Sequence, residues 1–73
     1  MEANFGQLID MCNKVGWEVG IKELEKIIYQ QENAQVFLQE QGRYKQAAKM
    51  TPTIIKQKFA VAKLKNYRKE HAL

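Results

Sequence analysis

The chain has 73 residues, 45% hydrophobic and 27% charged, with a formal net charge of +4. That length allows one domain, residues 1–73, and that apolar content excludes disorder throughout. No apolar run approaches the roughly 18 residues needed to cross a bilayer, and Cys12, the one cysteine, excludes an intrachain disulfide.

Residues 1–3 are expected to fray. Asn4 can cap a first helix, in which Phe5, Leu8, Ile9 and Cys12 fall at i, i+3, i+4, i+7 on one face. Gly6 in the first turn costs about 1 kcal/mol relative to alanine. Gly16 reads as the glycine that ends this helix. Cys12 is expected to be a small buried apolar residue rather than a reactive thiol.

Residues 16–20 read as a connector. Trp17 is expected to close the core between the first two helices, its indole N–H reaching a carbonyl or water; the alternative is an exposed anchor for a partner. A second helix starts near Gly20, with Ile21, Leu24, Ile27 and Ile28 on its apolar face. Lys22 can meet Glu25, and Glu23 can meet Lys26, as ordinary surface pairs. The polar run at 30–33 either continues the helix or breaks it, with Asn33 recapping. One long helix, distorted near 31–33, is the expected form, because only Asn33 there is a poor helix former. Val36, Phe37 and Leu38 restore apolar character, and Gly42 stops the helix.

Residues 43–50, RYKQAAKM, read as a short helical turn with Tyr44, Ala47, Ala48 and Met50 as packing positions. The longest helical signal follows. Thr51 serves as N-cap and Pro52 as the first helical residue, and the helix runs about 27 Å to Lys69. On a wheel of about 100° per residue it carries two apolar seams. Ile55, Phe59 and Ala62 form one. Ala60, Leu64 and Tyr67, widened by Ile54 and Val61, form the other. Lys56 and Lys63 lie between the seams on one side, and Lys58, Lys65 and Lys69 on the other. Two seams suit an inner bundle helix whose lysines reach out to water. The other reading packs one seam on the domain and turns the second to a partner. His71, the one histidine, is expected to be solvated.

Together these elements predict an all-α fold, a small bundle of three to four helices. The alternating strands a sheet needs are missing. The expected core comprises Phe5, Leu8, Ile9, Cys12, Trp17, Leu24, Ile28, Leu38, Ile55, Phe59 and Ala62. So short a chain is marginal alone, and a dimer or a larger partner would add burial.

Charge is divided along the chain. Residues 1–42 hold seven acids against three bases, and residues 43–73 hold nine bases against one acid. The basic residues Arg43, Lys45, Lys49, Lys56, Lys58, Lys63, Lys65, Arg68 and Lys69, with Tyr44 among them, are the candidate partner-binding or nucleic-acid-binding set. The alternative is a solvated basic surface balanced by the acidic half, or a head-to-tail contact between copies.

Catalytic and metal chemistry is not expected. One cysteine and one histidine cannot build a structural zinc site. No glycine-rich phosphate loop occurs, and Glu23 and Glu25, two apart on a helix, do not face each other. No enzyme activity, cofactor or small-molecule substrate is therefore expected, which leaves a binding module.

Two readings of that module follow. In the first, residues 43–50 and 52–69 form a helix-turn-helix that binds DNA, and QAAKM resembles the first helix of that motif. Only Thr51 separates the two, against the usual three or four residues. In the second, the chain binds a large machine that itself handles nucleic acid. The opening MEANFGQLIDMCNKVGWEVG and the lysine-rich last helix resemble the small transcription regulators of lytic phages of Xanthomonas. The resemblance implies a protein that binds bacterial host RNA polymerase, blocks initiation at host promoters and suppresses termination. With no secretory signal in the sequence, the expected compartment is the cytoplasm.

Overall fold

The computed structural model describes residues 4–71; the start expected to fray, residues 1–3, lies outside them. Three helices make up the described chain, which is 91% helical and without strands, so the fold is a small all-α bundle.

Helix α1 spans Phe5–Val15. Asn4 caps it reciprocally: Gln7 N–H donates to Asn4 Oδ1 at 2.8 Å, and Asn4 N–H donates to Gln7 Oε1 at 3.0 Å. This satisfies two amides that a helix start otherwise leaves unpaired. Gly16, at φ 98°, ends the helix by donating its N–H to Cys12 O.

Helix α2 spans Trp17–Glu40 and begins directly after Gly16. The connector expected over residues 16–20 therefore shrinks to one residue. Gly20 lies inside α2 and is buried. A Cβ there would sit 2.9 Å from Cys12 Sγ, so this glycine serves close approach of α1 to α2 rather than a turn. The polar stretch at 30–33 continues the helix unbroken. Gly42, at φ 76°, then reverses the chain, with Arg43 N–H donating to Leu38 O at 2.8 Å.

Helix α3 spans Tyr44–Glu70 without interruption. The separate turn at 43–50 and the helix start at Thr51–Pro52 are both corrected: Pro52 is an interior residue. A proline inside a helix costs about 3 kcal/mol, because it removes one N–H and crowds the carbonyl four residues back. Two features offset that cost. Ala47 and Ile54 are buried on either side of it, and Gln35 of α2 donates its side-chain amide to both Ala47 O and Thr51 Oγ1, each at 2.8 Å. Thr51 thus accepts from another helix instead of capping its own.

The α2 and α3 helices form an antiparallel hairpin. Glu25 pairs with Lys65 at 3.7 Å and Glu32 with Lys58 at 3.3 Å, so seven residues forward on α2 match seven back on α3. The core lies along this seam, with Ile21 and Ile28 against Ile54 and Val61, and Trp17, Leu24 and Met50 packed on them. Helix α1 covers one end of the hairpin, where Cys12 and Leu64 reach 0% exposure.

The core expectation is met at Cys12 and Ile28 and fails on α3. Phe5, Leu8, Ile9, Trp17, Leu24 and Leu38 are half-buried. Ile55, Phe59 and Ala62 are exposed, and the other seam of α3 packs inward instead. The reason is width. Ile54, Val61 and Leu64, with Ala60 and Tyr67 beside them, cover an arc broad enough to meet both α1 and α2, whereas the Ile55–Phe59–Ala62 seam is narrow. The surface pairing also differs: Lys22 meets Glu18 at 3.8 Å, and Glu25 turns to Lys65.

The molecule measures 48 × 20 × 18 Å and exposes 5848 Å². A compact protein of its mass exposes roughly 4,700 Å². The hairpin is long and covered by another helix over only part of its length, which leaves faces of α3 uncovered.

Candidate protein-binding face

Helix α3 presents the seam that the core does not use. Ile55 is 52% exposed and Phe59 67% exposed, and Tyr44 further along the helix is 68% exposed. Helical spacing sets Tyr44, Ala48, Ile55, Phe59 and Ala62 on one side of α3, all of them exposed. Leaving two large apolar side chains in water forfeits roughly 1.5–3 kcal/mol each relative to burying them. Contiguous exposed apolar surface rimmed by polar residues is a feature of interaction sites.

The lysines flank this stripe in two rows. On one side, Lys58 and Lys65 are tied to Glu32 and Glu25 of α2. These two are therefore partly spent on the hairpin, and at these two pairs acidic-half and basic-half residues meet. On the other side, Lys45, Lys49, Lys56 and Lys63 follow one another along the helix. Lys63 lies with its ammonium 5.7 Å from the centre of the Phe5 ring.

Between α1 and α3 the stripe deepens into an open groove of about 250 Å³. Phe5 and Leu8 form one wall, Ile55, Phe59 and Ala60 the other, and Lys56 and Lys63 add the charge; none of the described lining residues is acidic.

The remaining members of the basic set are spread out. Arg43 and Lys45 are exposed at the start of α3. Arg68 and Lys69 occupy its last turn, where cations complement the negative end of the helix dipole. His71, exposed as expected, closes a column of rings: it stacks on Tyr67 at 4.1 Å, and Tyr67 stacks on Trp17 at 5.5 Å. Phe5 meets the same tyrosine edge-on at 6.2 Å. The indole N–H of Trp17 reaches a carbonyl, as expected: it donates to the side-chain amide oxygen Oδ1 of Asn13 at 2.9 Å.

The helix-turn-helix geometry expected over residues 43–69 is not formed, because residues 44–69 lie in one helix with no turn. Cys12 is buried, and desolvation pushes its thiol pKa above the ordinary value, which keeps it neutral. Among the described residues no group of three potential ligands could hold a metal ion, and no helix is long and apolar enough to cross a membrane.

Sequence reasoning placed Ile55 and Phe59 in the core and so missed them as surface residues. The available signal was the lysines on both sides of that narrow seam, which favour water along both of its edges. No family model, curated protein or solved structure matches the chain.

Proposed function

We propose that this chain is a non-catalytic regulator of transcription that acts by docking on a protein surface of bacterial RNA polymerase in the cytoplasm. The observation that supports docking is the exposed Ile55–Phe59 pair on a lysine-lined helix face. A helix offering apolar anchors at i and i+4 suits a groove on a protein partner. Polymerase as the partner rests on the resemblance of the opening stretch and the lysine-rich last helix to small phage regulators. The mechanism is steric and competitive: a bound helix occupies a surface that initiation and termination require.

Direct binding to DNA is the second reading, carried by the nine bases of residues 43–73. It is weakened by the engagement of Lys58 and Lys65 with α2 and by the continuous α3. The deciding experiment is transcription in vitro with purified polymerase, one promoter and one intrinsic terminator. Reduced initiation and increased read-through on adding the protein are expected. No effect on either, together with tight, steeply salt-dependent binding to bare duplex DNA, overturns the regulator reading in favour of DNA binding.

A further inference from the structure

We infer that the groove between α1 and α3 is a socket for one bulky apolar side chain carried by an acidic segment of a partner protein. This deepens the docking reading of α3 and rests on it, though not on the identity of the partner.

Size comes first. The groove holds about 250 Å³. Small-molecule and cofactor sites occupy roughly 300–1,000 Å³ and enclose their ligand, whereas this groove is smaller and open. A cavity of about 150 Å³ accepts a benzene ring. The space therefore suits a leucine, phenylalanine or tryptophan side chain and is too small for a whole cofactor.

Chemistry narrows the occupant further. Apart from the lysines, the lining side chains of Phe5, Leu8, Ile55, Phe59 and Ala60 offer no hydrogen-bonding group. A nucleobase seated here would leave its polar edge desolvated and unpaired, which is costly. A hydrocarbon side chain loses nothing by the same move. Charge then selects the flanks. Lys63 stands at the groove, and none of its described lining residues is acidic. The row continues through Lys45 and Lys49 along α3. Glutamates or aspartates on both sides of the anchor complement that row and would hold the segment in register.

The test uses a fluorescein-labelled dodecapeptide of glutamate and aspartate with one central phenylalanine, titrated against the full chain. The readouts are anisotropy and amide chemical shifts. Saturable binding is expected, with the largest shifts around Leu8, Ile55 and Phe59. Phe59→Ser and Lys63→Glu should each weaken it by about tenfold or more. Both residues are exposed, so helical content and Tm should hold. A peptide with glutamine in place of its acids, and one with serine in place of phenylalanine, should also bind about tenfold more weakly. Absence of binding, indifference to both substitutions, or tighter binding of a labelled oligothymidine at the same residues each overturns the inference. Peptide binding at the groove without any effect on transcription sinks the polymerase reading and supports the socket. Regulation of transcription without peptide binding does the reverse.

Discussion

Gln35 on α2 and Thr51 on α3 are joined by a 2.8 Å hydrogen bond one residue ahead of Pro52, and the same amide group also reaches the Ala47 carbonyl at 2.8 Å. An amide nitrogen has two protons, so one side chain can serve both acceptors. The contact ties α2 to the one place where α3 lacks a backbone donor. Gln35→Ala should cost about 1–2 kcal/mol, and hydrogen exchange should rise locally at residues 49–53. Pro52→Ala should stabilise by about 2 kcal/mol: it restores the missing donor but gives back chain entropy to the unfolded state. Thermal melts followed by circular dichroism measure both. A Pro52→Ala protein that melts lower would mean the proline fits its helix better than the interior cost implies.

Gly20 of α2 lies against Cys12 of α1, and a methyl group at position 20 would lie 2.9 Å from Sγ and 3.4 Å from Cys12 Cα. Alanine normally improves a helix interior over glycine by about 1 kcal/mol. Here overpacking should reverse the sign, and Gly20→Ala should destabilise by about 1–3 kcal/mol. Cys12→Ala removes the sulfur, so the double variant should recover much of that loss. A double-mutant cycle with denaturant unfolding reads the coupling; additive effects would show that the two positions do not press on each other.

Much of the hairpin was legible in the sequence, and the places where it was not have identifiable causes. Asn4 acts locally through its side-chain cap and Gly16 and Gly42 through backbone geometry, and a local signal is readable without tertiary knowledge. Gly20 carried the same letter for a different reason: its role depends on Cys12 in another helix. Pro52 looked like a helix start because the rule for first-turn proline is local, whereas Gln35, 16 residues from Thr51, helps hold the helix through it. The basic set was found, but its division was not. Which way the helix is turned decides that Lys58 and Lys65 face α2 while Lys56 and Lys63 line the groove.

That rotation of α3 is testable by stability. Leu64 is fully buried and Phe59 is 67% exposed. Leu64→Ala should cost about 2–5 kcal/mol and unfold much of the population. Phe59→Ala should cost under about 1 kcal/mol, as expected for a surface change. Equal losses at the two positions would show that the narrow seam is packed in solution, for example against a second copy.

Burial raises the Cys12 thiol pKa above its ordinary value of 9.0. Above that pH the unfolded chain releases the thiol proton while the folded chain keeps it. The folded state then binds more protons, so stability falls as pH rises. The contribution is present below about pH 9 and lost above it. In urea unfolding between pH 8 and pH 10.5, roughly the range where thiols, tyrosines and lysines begin to titrate, Cys12→Ala should show a shallower decline than the wild type. Alkylation of the native thiol should be slow and track unfolding. Parallel slopes with rapid labelling would place Cys12 at the surface.

The last prediction separates the two kinds of surface on α3. Arg43, Lys45 and Lys49 are exposed near the hairpin turn, outside the core contacts. Charge reversal at all three should leave the fold intact and weaken the effect on transcription, chiefly by slowing association, because charges at a rim steer encounters and are screened by salt. Ile55→Ser with Phe59→Ser should instead weaken retention on polymerase at every salt concentration, since apolar contacts are not screened. Surface plasmon resonance on immobilised polymerase resolves the two: the triple variant should lose on-rate at low salt, and the double variant should gain off-rate. If the triple variant abolishes binding at all salt concentrations while the double variant binds normally, the charged end of α3 is the docking surface and the apolar stripe is not.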